Sequence, residues 1–454
     1  MSPAVEVSDQ VSLDGTVTVD RVVSPGPGFI VIHAEGEGGG PGPVIGQRHL
    51  HPGVNTNVIV DINAEGATPT LFAMLHTDDN EMGVYEFGEV EGADGPVLVD
   101  DAPVTPPFNV QLIRAYPQMV DGSFTAAHIV TDAPGWLVVH AASEEGGPGP
   151  VIGQAALEAG NNADVAVEIS GDVTNTVFPM LHVDTGEAGV YEFGEVEGAD
   201  GPIAVDGTVA VTGVSTVPTI NADPQIVLHA DNFEGMMMDD GMMGPSLMVD
   251  SVLSDGPGFV VVHAEGEEGG PGPVAGFAAV DDGLTLDVMV ELDPEMLTPV
   301  MYPMLHVDTG EVGTYEFGEV EGADGPVTVN DSVVVFPLNV APSFTADAQP
   351  IENGSITIDE VLIDAAGWLV VHASIDGAPG PVIGWAPLNS GYNANVMVEI
   401  DDPASVDGAA TDQVFPMLHY DTGEAGVYEF GEVEGVDLPV TVNENVVVGP
   451  LAIE

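Results

Sequence analysis

The eight-residue string YEFGEVEG occurs four times in the chain, beginning at Tyr85, Tyr191, Tyr315 and Tyr428. A VVHA-type motif, a PGPV motif and an FPMLH-type motif precede it in the same order each time. Self-similarity at about one domain length indicates tandem copies of a single folding unit. The sequence therefore predicts four domains, called copies 1 to 4 from here on, over residues 1–104, 105–214, 215–341 and 342–454.

Each copy shows the residue pattern of β-strands. Residues 29–33 form a continuous apolar run, typical of a strand that is covered on both faces. Residues 57–62 alternate between polar and apolar side chains, as a half-exposed strand does. Residues 71–76 and 84–87 predict two further strands, joined by a loop over residues 77–83. About seven short strands in each copy predict an all-β fold of four tandem immunoglobulin-like β-sandwich domains.

Acidic residues outnumber basic residues by 74 to 3, which gives a net charge of −71 at pH 7. The basic residues are Arg21, Arg48 and Arg114. No cationic patch can neutralise phosphates, which excludes nucleic acids and anionic membrane surfaces as partners. A hydrophobic content of 44% and a mean hydropathy of +0.22 still provide enough apolar material to fold. Such acidity is typical of proteins in high salt, of proteins that need divalent cations, or of surfaces that repel their neighbours.

The sequence has no cysteine, so disulfides, iron–sulfur clusters and thiol catalysis are excluded. No apolar run reaches the roughly 18 residues of a membrane span. The start of the chain lacks the basic and apolar regions of a signal peptide, so we expect either a cytosolic protein or a mature chain without its leader.

The polar motifs recur in every copy, whereas an enzyme needs its catalytic groups once. We therefore expect no enzymatic activity.

The combination of VVHA, GGPGPVIG, FPMLHVDTG and YEF resembles a numbered domain of unknown function that is found in secreted proteins of haloarchaea and Chloroflexi-type bacteria. The resemblance extends over essentially the whole chain, four times. It implies a β-sandwich protein that is extracellular or on the cell surface, which favours a mature chain without its leader, and it implies no activity. Copy 4 departs from the pattern at residues 435–438, which read GVDL where the other copies read GADG.

Two histidines in each copy stand at the ends of apolar strands, and a methionine precedes the second by two positions. Residues i and i+2 of a strand share one face. If the two strands are neighbours, each copy offers two imidazoles and one thioether, a ligand set that suits copper because a thioether favours the cuprous ion. The alternative is structural, with the methionine in the core and each histidine bonded to a loop carbonyl. The candidate ligands are His33, Met74, His76, His140, Met180, His182, His263, Met304, His306, His372, Met417 and His419.

The repeated acidic loop is a second candidate site. In copy 1 it carries Glu89, Glu91 and Asp94 on a segment flanked by glycines. Hard cations such as calcium bind to carboxylates and carbonyls on irregular loops. The spacing does not match a known calcium loop, so general screening of charge by cations is the alternative to a specific calcium site.

Copy 3 contains an insertion over residues 235–244, GMMMDDGMMG, that the other copies lack. We expect an exposed loop tip. Exposed methionines suit a soft metal or an adaptable hydrophobic contact, and the neighbouring carboxylates favour a partner over a metal. The candidate partner-binding residues are Met236, Met237, Met238, Met242 and Met243.

Repetition of one unit favours a protein that is extended or that binds at several equivalent sites over an enzyme. The first hypothesis is therefore an extracellular structural protein that forms a cell-surface fibre or layer as a head-to-tail homopolymer, with its charge screened by divalent cations. The second is a secreted metal-binding protein that holds copper or calcium. The third is an adhesin that uses the methionine-rich loop.

Overall fold

The structure is a computed structural model that describes residues 2–231 and 244–454. Within these residues the predicted all-β fold is confirmed, and three short 3-10 helices are the only helical segments. Each copy is built from three strands on one side, four on the other and a small two-stranded ribbon, and the four strands of copy 1 continue into the three of copy 2 within a single seven-stranded sheet. In the part of the chain that is described, no helix combines the length and apolar character needed to cross a membrane. The methionines of the predicted partner-binding loop, Met236, Met237, Met238, Met242 and Met243, lie outside the described residues.

Copy 1 gives the pattern for the others. Its three-stranded sheet has the order β1–β3–β6, and its four-stranded sheet has the order β5–β4–β7–β10. The short strand β2 pairs in parallel with β10, and β8 and β9 form the ribbon. The elements are β1 (Ala4–Glu6), β2 (Gln10–Ser12), β3 (Thr16–Ser24), β4 (Gly28–Glu35), β5 (Pro41–Leu50), β6 (Gly53–Asp61), η1 (Ala64–Gly66), β7 (Thr70–Thr77), β8 (Leu98–Val99), β9 (Ala102–Pro103) and β10 (Pro107–Arg114).

The remaining copies repeat this order. In copy 2 the strands are β11 (Ser123–Thr131), β12 (Gly135–Ala142), β13 (Pro148–Leu157), β14 (Gly160–Glu168), β15 (Thr176–Val183), β16 (Ala204–Val205), β17 (Thr208–Val209) and β18 (Val214–Ser215). In copy 3 the elements are β19 (Thr219–Asn221), β20 (Ser246–Ser254), β21 (Gly258–Glu265), β22 (Pro271–Val280), β23 (Gly283–Glu291), η2 (Pro294–Met296), β24 (Val300–Val307), β25 (Thr328–Val329), β26 (Ser332–Val333) and β27 (Leu338–Asn339). In copy 4 they are β28 (Ser343–Thr345), β29 (Ser355–Ile363), β30 (Gly367–Ile375), β31 (Ala378–Leu388), β32 (Gly391–Glu399), η3 (Pro403–Ser405), β33 (Ala409–Tyr420), β34 (Thr441–Val442), β35 (Asn445–Val446) and β36 (Leu451–Ala452).

The central strand β4 is buried on both faces, as its continuous apolar run predicts. Ile30 and Ile32 belong to the core between the two sheets. The alternate residues Phe29 and His33 point to the opposite face of the four-stranded sheet. That outer face is covered by the segment over residues 78–96, called the YEF loop from here on because it contains Tyr85, Glu86 and Phe87. The ring of Phe29 packs edge-on against Tyr85 with centroids 5.2 Å apart.

The loop itself corrects one expectation from the sequence. Residues 84–87 alternate like a strand, but the structure contains no strand there and instead has turns between residues 78 and 96. Gly88 and Gly92, which recur at the equivalent positions of every copy, explain this, since both have positive φ angles, 83° and 87°, that interrupt extended backbone. The prediction of a strand over residues 84–87 is therefore wrong.

The first two copies are joined by a continuous strand. The start of β10 pairs with β7 of copy 1, and its end pairs with β11 of copy 2, so one strand belongs to both copies. At the later junctions two separate strands serve the two neighbours, β18 and β19 first and β27 and β28 next. The boundary predicted near residue 104 precedes this shared strand by three residues.

Copies 1 and 4 touch each other although they stand at opposite ends of the chain. The side-chain amide of Asn57 on β6 donates to the carbonyl of Asn395 on β32 at 2.6 Å. Residues of copies 1, 3 and 4, among them Asp61, Asp223 and Tyr392, line a shared cleft of about 730 Å³. The four-copy array thus closes on itself within one chain. Head-to-tail assembly between chains stays a prediction.

Candidate metal centre

The two histidines of each copy lie on neighbouring strands and on one face. In copy 2, His140 on β12 is directly opposite Phe178 on β15, and His182 is four pairs further along, opposite Trp136. The prediction that His140 and His182 lie on adjacent strands with their side chains on one side is confirmed. The ring centroids of the paired histidines are 6.0, 5.9, 6.0 and 6.1 Å apart in copies 1 to 4.

The first histidine of each pair is held by the PGPV motif. Nδ1 of His33 lies 2.9 Å from the carbonyl oxygen of Gly42, and the equivalent distances in copies 2 to 4 are 2.8, 2.8 and 2.7 Å. The register of β4 and β5 shifts on either side of His33, so the ring is aimed by a bulge. Gly42 is required here because an added Cβ would come within 2.8 Å of the backbone of Gly36.

The second histidine of each pair is held by the YEF loop. Nδ1 of His76 lies 2.7 Å from the carbonyl oxygen of Asp94, and the other copies have 2.7, 2.6 and 2.7 Å. Carbonyl oxygens only accept hydrogen bonds, so Nδ1 carries the proton in both histidines. In the neutral ring this leaves Nε2 as an unprotonated lone pair, which is the form that binds metals.

The Nε2 atoms have no hydrogen-bond donor to satisfy them. Within the described chain, five Nε2 atoms are buried and have no hydrogen-bond partner. They belong to the first histidine of each of the four copies and to His76. In copies 2 to 4, Nε2 of the second histidine lies 3.3, 3.2 and 3.2 Å from the methionine sulfur two residues earlier. A thioether sulfur has no proton to donate. Two electron-pair donors therefore lie side by side without a proton between them.

Burial lowers the pKa of the second histidine in each copy and favours its neutral form. It lowers the pKa of His182 to about 4, and the nearby His140 acts in the same direction while the bond to the Asp200 carbonyl opposes it. The pKa of His419 is likewise lowered to about 4, mainly by burial. Metal binding to imidazole requires the neutral form. At neutral pH the second histidine of each copy is therefore already in that form.

The geometry is compatible with one ion for each pair. Nitrogen ligands lie about 2 Å from a metal, so one ion can bridge two Nε2 atoms only when the rings are close neighbours. The two rings, with centroids about 6 Å apart on one sheet face, are such neighbours, and the methionine sulfur would be the third ligand. Among residues 2–231 and 244–454, no group of three or more His, Asp and Glu side chains is arranged to hold a metal. A soft-metal set of two imidazoles and a thioether thus has better geometric support than an oxygen site.

Aromatic rings of the YEF loop cover the pair. Phe87 packs edge-on against His76 with centroids 4.9 Å apart, and Tyr85 does so at 5.6 Å. His76 has no solvent exposure, whereas Phe87 is 42% exposed. The same two contacts recur in copies 2 to 4. Phe87 is therefore the outermost cover between His76 and solvent.

The acidic loop does not bring its candidate calcium ligands together. Glu89 and Glu91 are exposed, whereas Asp94 is fully buried. The carboxylate of Asp94 accepts hydrogen bonds from the backbone N–H groups of Asp79 and Glu86, so it fixes the loop from within. The set therefore divides into two solvated side chains and one structural side chain, and it gives no geometric support to a specific calcium site.

Motif analysis does not single out the residues that join copies 1 and 4. Arg48 donates to the carbonyl oxygens of Ser390 and Tyr392, both at 2.9 Å. The backbone N–H of His51 donates to the side chain of Asn389 at 2.7 Å. The only signal in the sequence is a departure from the repeat, because the positions of Arg48 and His51 are occupied by other residues in copies 2 to 4.

Solved structures with detectable similarity include bacterial α2-macroglobulins. The native conformation of the Escherichia coli protein is 10% identical, with coverage of 98% of this chain and 28% of that one, and a TM-score of 0.17. A Salmonella mutant is 12% identical, with coverage of 99% and 33% and a TM-score of 0.17. A fragment of the E. coli protein spanning domains MG0-NIE-MG1 is 11% identical, with coverage of 67% and 93% and a TM-score of 0.18. This chain thus spans about a third or less of the two full-length relatives, and TM-scores this low carry no argument about function.

No curated protein matches the chain. The model of one family matches it four times in succession, over residues 3–111, 113–216, 235–341 and 342–453. These ranges account for nearly the whole sequence and follow the order of the four copies. The chain therefore belongs to the family described as a domain of unknown function (DUF7282), of which it carries four tandem copies.

Proposed function

We propose that the protein is an extracellular copper-binding repeat protein in which each copy binds one cuprous ion. The ligands in copy 2 are Nε2 of His140, Nε2 of His182 and the sulfur of Met180, and the other copies use the equivalent residues. The observation that carries the proposal is the meeting of unprotonated nitrogen and sulfur lone pairs in a buried site. Buried polar atoms normally have a hydrogen-bond partner, and these have none within the described protein.

The choice of ion follows from the ligands. Imidazole binds copper in either oxidation state, but a thioether is a soft ligand that favours the cuprous form. Hard cations such as calcium take oxygen ligands, and among the described residues no carboxylate joins the two histidines in a group that could hold a metal. The extracellular location rests on the resemblance to secreted proteins, and the role is binding rather than catalysis.

The other two hypotheses have less support. A head-to-tail fibre would use the ends of the array, but copies 1 and 4 already meet each other within one chain. The tandem array and the large negative charge are consistent with a surface layer screened by cations, and neither feature requires one. Adhesion through the methionine-rich loop depends on residues outside the described part of the chain.

The test is a titration of the full chain with cuprous ion in the absence of oxygen, in competition with a chromophoric chelator. We expect about four equivalents for each chain, one for each copy. His182→Gln should reduce the stoichiometry to three. Met180→Leu preserves the volume of the side chain and the fold but removes the sulfur, so it should weaken one site by roughly tenfold or more.

The control is His128→Gln, because His128 is a half-buried histidine on β11 outside the candidate set. This variant should retain four equivalents. Binding of less than one cuprous ion to the wild-type chain would reject the proposal, and so would equal stoichiometry and affinity in wild type, His182→Gln and Met180→Leu. In that event the histidines serve only to anchor the PGPV motif and the YEF loop.

A further inference from the structure

The contact between copies 1 and 4 joins equivalent positions of the repeat. Asn57 is the fifth residue of β6 and Asn395 is the fifth residue of β32, and they bond to each other at 2.6 Å. His51 and Asn389 stand two residues before the same two strands, and they too bond to each other, at 2.7 Å. The contact therefore has approximate two-fold symmetry between an odd copy and an even copy.

Further groups of copies 1 and 4 surround these two bonds. Nε2 of His51 lies 2.7 Å from a carboxylate oxygen of Asp421, and both side chains are buried. The ring of His51 packs edge-on against Trp368 with centroids 5.0 Å apart. Arg48 adds two hydrogen bonds to carbonyl oxygens on copy 4. One of only three basic side chains in the sequence is thus committed to this contact.

Copies 2 and 3 carry acids at both equivalent positions. The residues that correspond to Asn57 and Asn395 are Asp164 and Asp287, the fifth residues of β14 and β23. All four have the same left-handed backbone, with φ between 49° and 53°, so only the side-chain chemistry differs. The residues that correspond to His51 and Asn389 are Glu158 and Asp281.

Acids at these positions would oppose the same contact. A carboxylate has no N–H to donate to the carbonyl that the amide of Asn57 reaches. Two such copies would also place like charges directly opposite each other, which is unfavourable. The repeat thus has one version of this edge that can pair and another that cannot.

We infer that the edge of β6 and the edge of β32 form a repeat-specific lock, in which Asn57, Asn395, His51 and Asn389 select copies 1 and 4 as partners and close the array. Asp164, Asp287, Glu158 and Asp281 exclude copies 2 and 3 from the same contact, both within the chain and with a second chain. The lock is independent of metal binding.

The first test introduces charge at the lock in the full chain. Asn57→Asp with Asn395→Asp should open the array and raise the radius of gyration in small-angle scattering by about a quarter or more, since four domains in an open row are far longer than a compact protein of this size. Asn353→Asp with Asn330→Asp is the matched control. Both residues are asparagines with φ near 50° outside the lock, so they add the same charge in the same backbone conformation. The control should scatter as the wild type does, and an unchanged radius in the lock variant would overturn the inference.

The second test does not depend on the lock variant staying folded. Because the chain has no cysteine, Asn57→Cys with Asn395→Cys introduces one unique pair at positions that touch. Mild oxidation should form an intrachain disulfide, visible as a faster band in denaturing electrophoresis that reverts on reduction. Asp164→Cys with Asp287→Cys should form none within the chain. Failure of the first pair to crosslink within one chain, or equal crosslinking of the second pair, would overturn the lock.

Discussion

Replacement of Asp200 by alanine should lower the stability of copy 2 by about 3 kcal/mol or more, because its carboxylate holds the YEF loop together. It accepts hydrogen bonds from the backbone N–H groups of Thr185 at 2.8 Å and Glu192 at 2.6 Å. Asp200 is fully buried, so both N–H groups would lose a charged acceptor in a place where water does not reach. A hydrogen bond to a charged group contributes about 1.5 to 3 kcal/mol.

The measurement is hydrogen exchange of the backbone amides in copy 2, which reports on one copy within a multidomain chain. The control is Asp206→Ala. Asp206 is exposed, and its φ of 48° matches the 47° of Asp200, so the two variants share the same backbone strain. Equal exchange in the two variants would mean that the strain, rather than the lost carboxylate, sets the effect.

Acidification should destabilise the metal-free protein through its buried histidines. The pKa values of His182 and His419 are about 4 in the folded chain, against an ordinary value of 6.5. Below pH 6.5 the unfolded chain takes up protons that the folded chain does not accept until about pH 4. The free energy of unfolding therefore falls as the pH drops through this window, by about 2 kcal/mol for each of the two histidines by pH 5.

Urea unfolding at pH 7, 6 and 5 at constant ionic strength measures this loss. The double variant His182→Gln, His419→Gln should lose less stability than the wild type over the same interval, because glutamine does not titrate. His128→Gln should follow the wild type. The interval above pH 5 is chosen because the many carboxylates titrate below it. Equal losses in the wild type and the double variant would show that other groups dominate.

The repeat and the strand periods predict much of this structure. The apolar run of β4 predicts a strand buried on both faces, and the placement of Met180 and His182 two residues apart puts them on one face. The sequence predicts that His140 and His182 are adjacent only if their two strands are neighbours, because the pattern of a single strand does not show which strands it pairs with. Their adjacency follows from the antiparallel pairing of β12 with β15.

Two features could not be predicted, for different physical reasons. The YEF loop alternates like a strand, but buried Asp94 binds its backbone N–H groups and competes with ladder pairing. The lock between copies 1 and 4 joins residues 338 positions apart, as with Asn57 and Asn395. No local pattern marks such a contact. Only a comparison among the copies reveals that Asn57 replaces an acid.

The shared strand β10 has a mechanical consequence. Pro342 and Pro218 lie between the paired strands of the later junctions, where a residue without an N–H cannot continue a ladder, whereas the first junction has no proline between Pro107 and Arg114. Once the lock between copies 1 and 4 has opened, a chain pulled from its two ends would therefore bend first at the proline-containing junctions. Copies 1 and 2 would move together as one rigid unit. Their separation requires the backbone hydrogen bonds of β10 to break with β7 of copy 1 or with β11 of copy 2.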